Sequence, residues 1–205
     1  MNTKVALKQL AELKKLSGSM RLAAEEWKSD WQTLIAIMLS ARTRDEVTIV
    51  VAKKLFAKYK TLSSLSRTSI SEIQKIIRPV NFYRNKSKSV LGCAKKLIID
   101  FNSKVPFTID ELVTIPGVGR KTANVFLSEF GGDAIGVDTH VSHISQYLGW
   151  TKHSNAHKIE IDLKKLFPKS RWNEVNVACV HFGKTFISTR KENELLDEIK
   201  KKTKN

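Results

Sequence analysis

Apolar residues recur every three or four positions along most of this chain, and that spacing constrains the fold more than any other sequence feature. Such a period places apolar side chains on one face of an α-helix, whereas a strand alternates at every second residue. The clearest runs are Val5, Leu7, Leu10, Leu13 and Leu16; Leu34, Ile37, Met38 and Ala41; and Ile70, Ile73, Ile76 and Ile77. No Asn-Gly or Asp-Gly pair joins two strand-like runs. The sequence therefore predicts an all-α protein of about ten short helices.

Glycine, proline and asparagine mark the breaks between the predicted helices. The breaks are Ser17–Ser19, Pro79 with Asn81, Asn102–Pro106, Gly131 with Gly132, and Pro168. Thr108 stands three residues before Glu111, and Thr189 stands three before Glu192. Each pair has the spacing of a capping box and predicts the start of a helix.

The chain is strongly basic, with 36 Lys and Arg against 20 Asp and Glu in 205 residues, a net charge of +16. An excess of this size favours a polyanionic partner. The longest apolar run, Leu34–Leu39, is far shorter than the eighteen or so residues that a membrane helix needs. Met1–Leu16 lacks the unbroken apolar core of a secretory signal. We therefore expect an intracellular protein of the cytoplasm or nucleoid, with no membrane partner.

One turn carries most of the functional information. Pro116–Gly119, Pro-Gly-Val-Gly, separates a helix predicted to end at Thr114 or Ile115 from a helix that opens at Arg120. The two glycines let backbone N–H groups approach a ligand, and the next helix adds its positive dipole end. This helix-hairpin-helix pattern predicts a contact with a DNA phosphate. A plain helical corner is the alternative, but it would need no Arg120-Lys121 pair.

Asp138 is the second residue of interest. It follows a short apolar run and precedes a new helical pattern, so we predict a helix N-cap or a position at the mouth of a cleft. Capping alone would explain an aspartate there. A lysine at the start of one helix and an aspartate at the start of the next can also face each other across a groove, and Lys121 makes such a pair possible.

Four motifs resemble the endonuclease III family of base excision DNA glycosylases. They are Leu39–Asp45 (LSARTRD), Phe82–Ser87 (FYRNKS), Pro116–Val125 (PGVGRKTANV) and Val137–His140 (VDTH). They follow the family's order over residues from about 30 to about 185. The resemblance implies an all-α fold of two lobes, with DNA bound in the cleft between them. The first is a six-helix lobe over 28–134, and the second combines 1–27 with 135–205.

The resemblance also implies the chemistry. Lys121 would be the nucleophile that attacks C1′ of the damaged nucleotide, expels the base and cuts the strand by β-elimination through a Schiff base. Asp138 would stabilise positive charge on the sugar and assist proton transfers. Related glycosylases without this lysine use the aspartate and a water, and they do not cut the strand. Lys121 therefore predicts the bifunctional type.

Two loops would fill the space that the extruded base leaves. Arg42 stands where many relatives carry Gln, and Phe82 takes the position of the apolar wedge, although core packing would also explain Phe82. Asn81 replaces a common glycine, so we predict left-handed backbone there. Asp45 is either a residue behind the cleft or an ion-pair partner of Arg42 or Arg44. The DNA-binding residues predicted in all are Arg42, Phe82, Lys86, Gly117, Gly119, Arg120, Thr122 and His140.

We predict no resident metal or cofactor, apart from a monovalent cation that the family's hairpin often holds. Its ligands here would be the backbone carbonyls of Val113, Ile115 and Val118. His140 and His143 lie one helical turn apart, but no carboxylate or cysteine completes a metal site, so we expect both to face DNA or the cleft. Cys93 and Cys179 are widely separated, and we expect Cys179 and His181 to lie in the core.

The C-terminal stretch departs from the family pattern. Most relatives end with four cysteines that hold a [4Fe–4S] cluster, whereas Gly183 onward contains none. We therefore expect no cluster, and we predict that a last helix buries three apolar residues to stabilise the second lobe instead. These are Leu195, Leu196 and Ile199. Lys200–Lys204 either contacts DNA or forms a solvated, frayed end.

Together these features predict a bifunctional DNA glycosylase and abasic-site lyase that removes oxidised pyrimidines such as thymine glycol. Its partner would be double-stranded DNA with damaged bases or abasic sites, bound by a monomer. One alternative is the same fold with a preference for mismatched thymine, uracil or adenine. The other is a non-catalytic helix-hairpin-helix protein, which would need neither Asp138 nor the loops of Arg42 and Phe82.

Overall fold

The regular structure is entirely helical over the residues described by the structure, a computed structural model. These residues are 2–18, 21–132, 134–186 and 188–203. The helices are α1 (Thr3–Leu16), α2 (Asp30–Ser40), α3 (Asp45–Lys58), α4 (Leu62–Ser66), α5 (Ile70–Ile77), α6 (Tyr83–Phe101), α7 (Ile109–Leu112), α8 (Arg120–Glu129), α9 (Thr139–Tyr147), α10 (Ala156–Leu166), α11 (Trp172–Thr185) and α12 (Thr189–Thr203), with a 3₁₀ turn at Lys169–Arg171. The predicted all-α class is confirmed. The expected number of about ten helices was low, and the five-residue α4, for example, is too short to show a helical period.

The chain divides into two compact units. Arg21–Phe126 forms one, here called the central unit, and Met1–Met20 with Leu127–Asn205 forms the other, the terminal unit. The predicted lobes, 28–134 and 1–27 with 135–205, stay a prediction. No described helix is both long enough and apolar enough to cross a membrane.

The central unit is organised around α6, its longest helix. This helix packs against α2, α4 and α5, while α3 packs against α2 and α5. Its core side chains are fully buried; among them are Leu34, Ile35, Leu55, Leu65, Ile73, Ile77, Val90 and Leu97. Helix α2 is apolar on nearly every side, as expected of a helix enclosed by neighbours. Three other helices of the central unit therefore pack on α6.

The terminal unit combines α1 with the C-terminal helices. Helix α11 packs against α1 and α9, α12 packs against the same two helices, and α10 packs against α9. The buried Trp150 indole donates to Gln9 Oε1 at 2.6 Å, and Lys14 forms a 3.0 Å ion pair with Glu174. These contacts fix the N-terminal helix onto the C-terminal third of the chain.

Helix boundaries follow the predicted signals with two exceptions. The Thr108 hydroxyl accepts from the N–H of Glu111, so Thr108 caps α7 as predicted. Helix α7 ends at Leu112, where a turn begins. This is two residues before Thr114, the first of the two predicted ends. Thr189 is the first residue of α12 and not its cap, since the N–H of Glu192 already donates to the Ser188 carbonyl.

The last helix carries the predicted apolar face. Leu195, Leu196 and Ile199 are buried, as is Thr203. The Lys200 ammonium lies 4.2 Å from the Tyr147 ring centroid. Lys200–Thr203 is not frayed, because α12 continues to Thr203, although Lys201 and Lys202 are exposed to solvent. Lys204 lies outside the described residues.

Helix α12 is expected to contribute strongly to stability. Leu196 is fully buried, so Leu196→Ala should lower the free energy of unfolding by about 2–5 kcal/mol through lost burial and a residual cavity. Ile161→Ala is the matched control, because Ile161 lies in the same unit and is 39% exposed. Its loss should be much smaller. Urea unfolding measures both, and equal losses would contradict a stabilising role for α12.

Candidate active site

The hairpin between α7 and α8 is held by alternating buried and exposed positions. Leu112, Ile115 and Val118 are buried at intervals of three. Within the turn the N–H of Val118 donates to the Ile115 carbonyl at 3.0 Å, and the N–H of Ala123 donates to Gly119 at 2.9 Å. Buried anchors therefore fix a loop whose intervening residues are exposed.

Gly117 and Gly119 have different structural roles. Gly117 has a φ of +82°, and a Cβ there would lie 2.5 Å from Ser89 Cβ and 2.8 Å from Met38 Cε. A Cβ placed on Gly119 would have no atom of the described residues within 4 Å. Gly117 is thus required by the fold, whereas Gly119 leaves open space over the backbone at the start of α8.

A pair of alanine variants should separate these two roles. Gly117→Ala is expected to lower stability by about 2–4 kcal/mol, because it adds both a steric clash and a strained positive φ. Gly119→Ala should change stability by less than about 0.5 kcal/mol. It should weaken binding to duplex DNA about tenfold by keeping a phosphate from the backbone. Thermal unfolding and fluorescence anisotropy give the two readouts, and an unchanged DNA affinity for Gly119→Ala would contradict the phosphate contact.

Lys121 lies in the first turn of α8, as the sequence predicts. Its side chain is exposed, and so are Arg120 beside it and Gly119 before it, while Thr122 is half-buried. The N–H groups of a first helical turn point along the axis away from intrahelical acceptors, and the positive end of the dipole lies there. Lys121 therefore presents an exposed amine in the first turn of a helix.

Asp138 is the N-cap of α9. Its Oδ1 accepts from the N–H of Val141 at 2.9 Å, and the residue is half-buried. The preceding backbone is fixed as well, because Asn176 of α11 donates to the Gly136 carbonyl. The predicted cap is therefore confirmed. A carboxylate has two oxygens, so capping through Oδ1 is compatible with a catalytic role.

The two histidines of α9 have different surroundings. His140 lies against Gly183 of α11. A Cβ placed on Gly183 would lie only 2.2 Å from Nδ1 of His140. His143 Nε2 is 2.9 Å from Asn193 Oδ1 of α12, and its ring contacts Tyr147. The ring of His143 therefore bonds within its own unit, and the expectation that both histidines face DNA or the cleft stays a prediction. No sequence signal pointed to Gly183 as the residue that makes room for His140.

The loops of Arg42 and Phe82 meet in the central unit. The Arg42 guanidinium carbon lies 5.3 Å from the centroid of the Phe82 ring. Phe82 is 57% exposed, so the core-packing alternative is wrong. The left-handed backbone falls at Arg42 (φ 57°) and Phe82 (φ 59°) and not at Asn81. Asn81 instead donates its side-chain amide to the Arg42 carbonyl.

Lys86 is directed into the chain, where the sequence had predicted a contact with DNA. Its ammonium donates to the Leu39 carbonyl at 2.7 Å, the Ala41 carbonyl at 2.6 Å and the Thr43 hydroxyl at 3.3 Å. Burial lowers the pKa of Lys86 from its usual 10.5 to about 8. No sequence signal pointed to these acceptors, because they lie more than forty residues earlier in the chain.

Asp45 is buried at the first position of α3. The dipole of that helix favours a carboxylate there. Arg44 forms its ion pair, at 3.7 Å, with Glu46.

No three His, Cys, Asp or Glu side chains are grouped to hold a metal ion within the described ranges. Cys93 and Cys179 are free and buried. Burial raises the pKa of Cys93 to about 12, and burial with the nearby Asp138 and Glu192 carboxylates raises the pKa of Cys179. Both thiols therefore lie in surroundings that disfavour the reactive thiolate.

Both cysteines should resist modification in the folded protein. A thiol-specific disulfide reagent at pH 8 should react with neither on the timescale of minutes and with both after denaturation, because only a solvent-accessible thiolate attacks the reagent. The absorbance of the released thiolate measures this directly. Rapid reaction of either thiol in the native protein would contradict the buried positions.

Comparison with known proteins identifies the family of this chain. Residues 35–169 match the HhH-GPD superfamily of base excision DNA repair proteins. Endonuclease III of Synechocystis sp. is 38% identical over 168 residues, 81% of this chain and 77% of that protein. Endonuclease III of Thermotoga maritima is 37% identical over 169 residues, 82% and 78% of the two chains.

Solved structures give the same result. A trapped endonuclease III–DNA covalent intermediate, an estranged-adenine complex, matches with a TM-score of 0.83 and 33% identity. The match covers 93% of this chain and 90% of that one. The chain belongs to the HhH-GPD superfamily of base excision DNA repair proteins. Within it, the chain is a DNA-binding enzyme of the endonuclease III kind, a DNA glycosylase with abasic-site lyase activity.

Proposed function

We propose that Lys121 is the nucleophile of this enzyme. Its position at the start of α8, exposed beside a turn that can bind phosphate, is the observation that carries the proposal. The neutral amine would attack C1′ of the damaged nucleotide, and the bond from C1′ to the base would break with its electrons leaving on the base. Opening of the sugar ring would then give an imine between Lys121 and C1′.

Strand cleavage follows from that imine. It makes the C2′ proton acidic, and removal of this proton lets the C3′–O bond break by β-elimination. Asp138 would stabilise positive charge on the sugar and move protons in these steps. Its capping bond fixes the carboxylate, because Oδ1 is tied to the Val141 N–H. A positioned carboxylate needs no reorganisation when charge develops.

DNA would be held by the hairpin and by the two loops of the central unit. The exposed N–H groups around Gly117, Gly119, Arg120 and Thr122 would bind a phosphate on the damaged strand. The exposed Phe82 ring would enter the base stack, and Arg42 would bond the base left without a partner. His140, which lies on α9 two residues after Asp138, would contact the backbone near the lesion.

We further propose oxidised pyrimidines in duplex DNA as the substrates and a monomer as the active form. Endonuclease III relatives support the substrate class. A lysine nucleophile favours it over the monofunctional members, which act on other bases.

A panel of labelled duplexes tests the substrate class. It compares thymine glycol with uracil, with thymine opposite guanine and with adenine opposite oxidised guanine, and it includes an abasic site. Thymine glycol and the abasic site should be cut without added alkali, and the other lesions at least about a hundredfold more slowly. Preferred release of uracil or adenine would contradict the proposed substrate.

The chain's own residues do not fit a [4Fe–4S] cluster. Such a cluster needs four cysteine thiolates, and the sequence has two cysteines, each buried within a helix. The buried face of α12 would stabilise the terminal unit without it.

A monovalent cation does fit the hairpin. The Ile115 carbonyl accepts one hydrogen bond, from Val118, and so keeps a lone pair. It would share the cation with the Val113 and Val118 carbonyls, and the bound charge would help to hold a phosphate.

A further inference from the structure

Helix α6 lies beside two loops of the central unit, the loop of Phe82 and the hairpin. Phe82 caps its start, and Lys86 and Ser89 follow four and then three residues later, the spacing of a single helix face. Ser89 lies beneath Gly117 of the hairpin, and Gly92 lies beneath Pro116. The wedge and the hairpin are therefore built on one rigid element, and Lys86 stands between them.

Lys86 reaches from this helix to the end of α2. The Leu39 and Ala41 carbonyls belong to the last turn and C-cap of α2, where carbonyls lack intrahelical partners and the dipole is negative. The Thr43 hydroxyl supplies a third oxygen. A compact ammonium with three donors matches three oxygens, a task that the planar fork of arginine would not perform.

A second tie runs beside the first. Asn81 donates its backbone N–H to Thr43 Oγ1 at 3.2 Å and its side-chain amide to the Arg42 carbonyl. Between these ties, Arg42 and Phe82 both adopt left-handed backbone. That conformation is unfavourable for a residue with a side chain, so it persists only where surrounding contacts enforce it.

We propose that Lys86 is a positioning residue that latches the two loops together before DNA binds, so that Arg42 and Phe82 enter the duplex as one preformed unit. The inference rests on the proposed role of these two side chains in filling the vacated base position. In this role Lys86 acts through the two loops and not through a contact with the reacting atoms. Its effect is to remove the loss of entropy that two separate loops would suffer on ordering.

Hydrogen exchange in the DNA-free protein tests the latch without reference to activity. Lys86→Met keeps the apolar stem and removes the ammonium, and exchange in peptides that cover 39–46 and 79–86 should become at least about tenfold faster. Lys88→Met is the matched control, since Lys88 is an exposed lysine of the same helix, and it should leave exchange unchanged. Unchanged exchange in Lys86→Met would overturn the proposal.

Asn81→Ala keeps the test decisive if Lys86→Met fails to fold. It removes the side-chain bond of the second tie, from Asn81 to the Arg42 carbonyl, and should also speed exchange at 39–46. Unchanged exchange there would count against a latched pair of loops.

Kinetics then distinguish a latch from a phosphate contact. For Lys86→Met we expect kcat/KM on a thymine glycol duplex to fall about 10- to 100-fold, and on a single-stranded abasic oligonucleotide by less than about threefold, because the single strand has no base pair to open. Equal losses on both substrates would instead indicate a phosphate contact and overturn the latch. In that case the slope of log binding constant against log salt concentration should also fall by about one. If wild type cuts neither substrate, the proposed function fails while the exchange result still stands.

Discussion

Replacing Lys121 with Gln is expected to abolish strand cleavage at thymine glycol, with a loss in rate of at least about a thousandfold. Glutamine retains a polar side chain that is only one atom shorter, but it has no nucleophilic amine, so the imine cannot form and β-elimination cannot follow. Lys121 is exposed on α8, and the substitution should therefore leave stability nearly unchanged. Single-turnover cleavage of an end-labelled duplex measures the effect.

A second variant tests whether loss of positive charge alone explains the loss of cleavage by Lys121→Gln. Lys53→Gln removes one charge from another exposed position of the central unit and should change cleavage by less than about twofold. DNA binding by Lys121→Gln should also persist, because the hairpin backbone and the loops are intact. Cleavage by Lys121→Gln at a tenth of the wild-type rate or more would show that another group is the nucleophile.

Asp138→Asn should lower the rate of base release at least about a hundredfold while changing stability by less than about 0.5 kcal/mol. Asparagine caps a helix as well as aspartate does, so the bond to the Val141 N–H is kept. Only the negative charge is lost. Asp138→Ala loses both the negative charge and the capping bond. It should therefore show the same kinetic defect together with about 1 kcal/mol of lost stability.

Asn155→Ala is the control for the cap. Asn155 caps α10 by accepting from the N–H groups of His157 and Lys158. Its replacement should lower stability by about 1 kcal/mol and leave base release unchanged. A fully active Asp138→Asn would mean that Asp138 serves only as a helix cap.

Signals from residues close together in the sequence were sufficient to predict the helical class and the hairpin. The start of α8 at Arg120 and the cap at Asp138 depend on neighbours in sequence, and glycine, proline and capping residues determine them. The buried face of α12 followed from spacing alone, because one period of apolar residues defines it.

Contacts between distant segments were not predictable in this way. Left-handed backbone was expected at Asn81, the residue type that tolerates it, yet it occurs at Arg42 and Phe82. The reason is tertiary: the Asn81 amide and the Lys86 ammonium both bind backbone carbonyls near Arg42. Likewise, His143 bonds to a residue fifty positions later. Sequence spacing carries no information about such partners.

Borohydride trapping on a thymine glycol duplex is the most direct measurement of the central claim, that Lys121 forms a Schiff base with the damaged nucleotide. Reduction should convert the imine to a stable amine and join the protein covalently to DNA. Peptide mapping by mass spectrometry should then locate the adduct on Lys121, and none should form with Lys121→Gln. An adduct on another amine, or no adduct on this duplex and on one with an abasic site, would contradict the account.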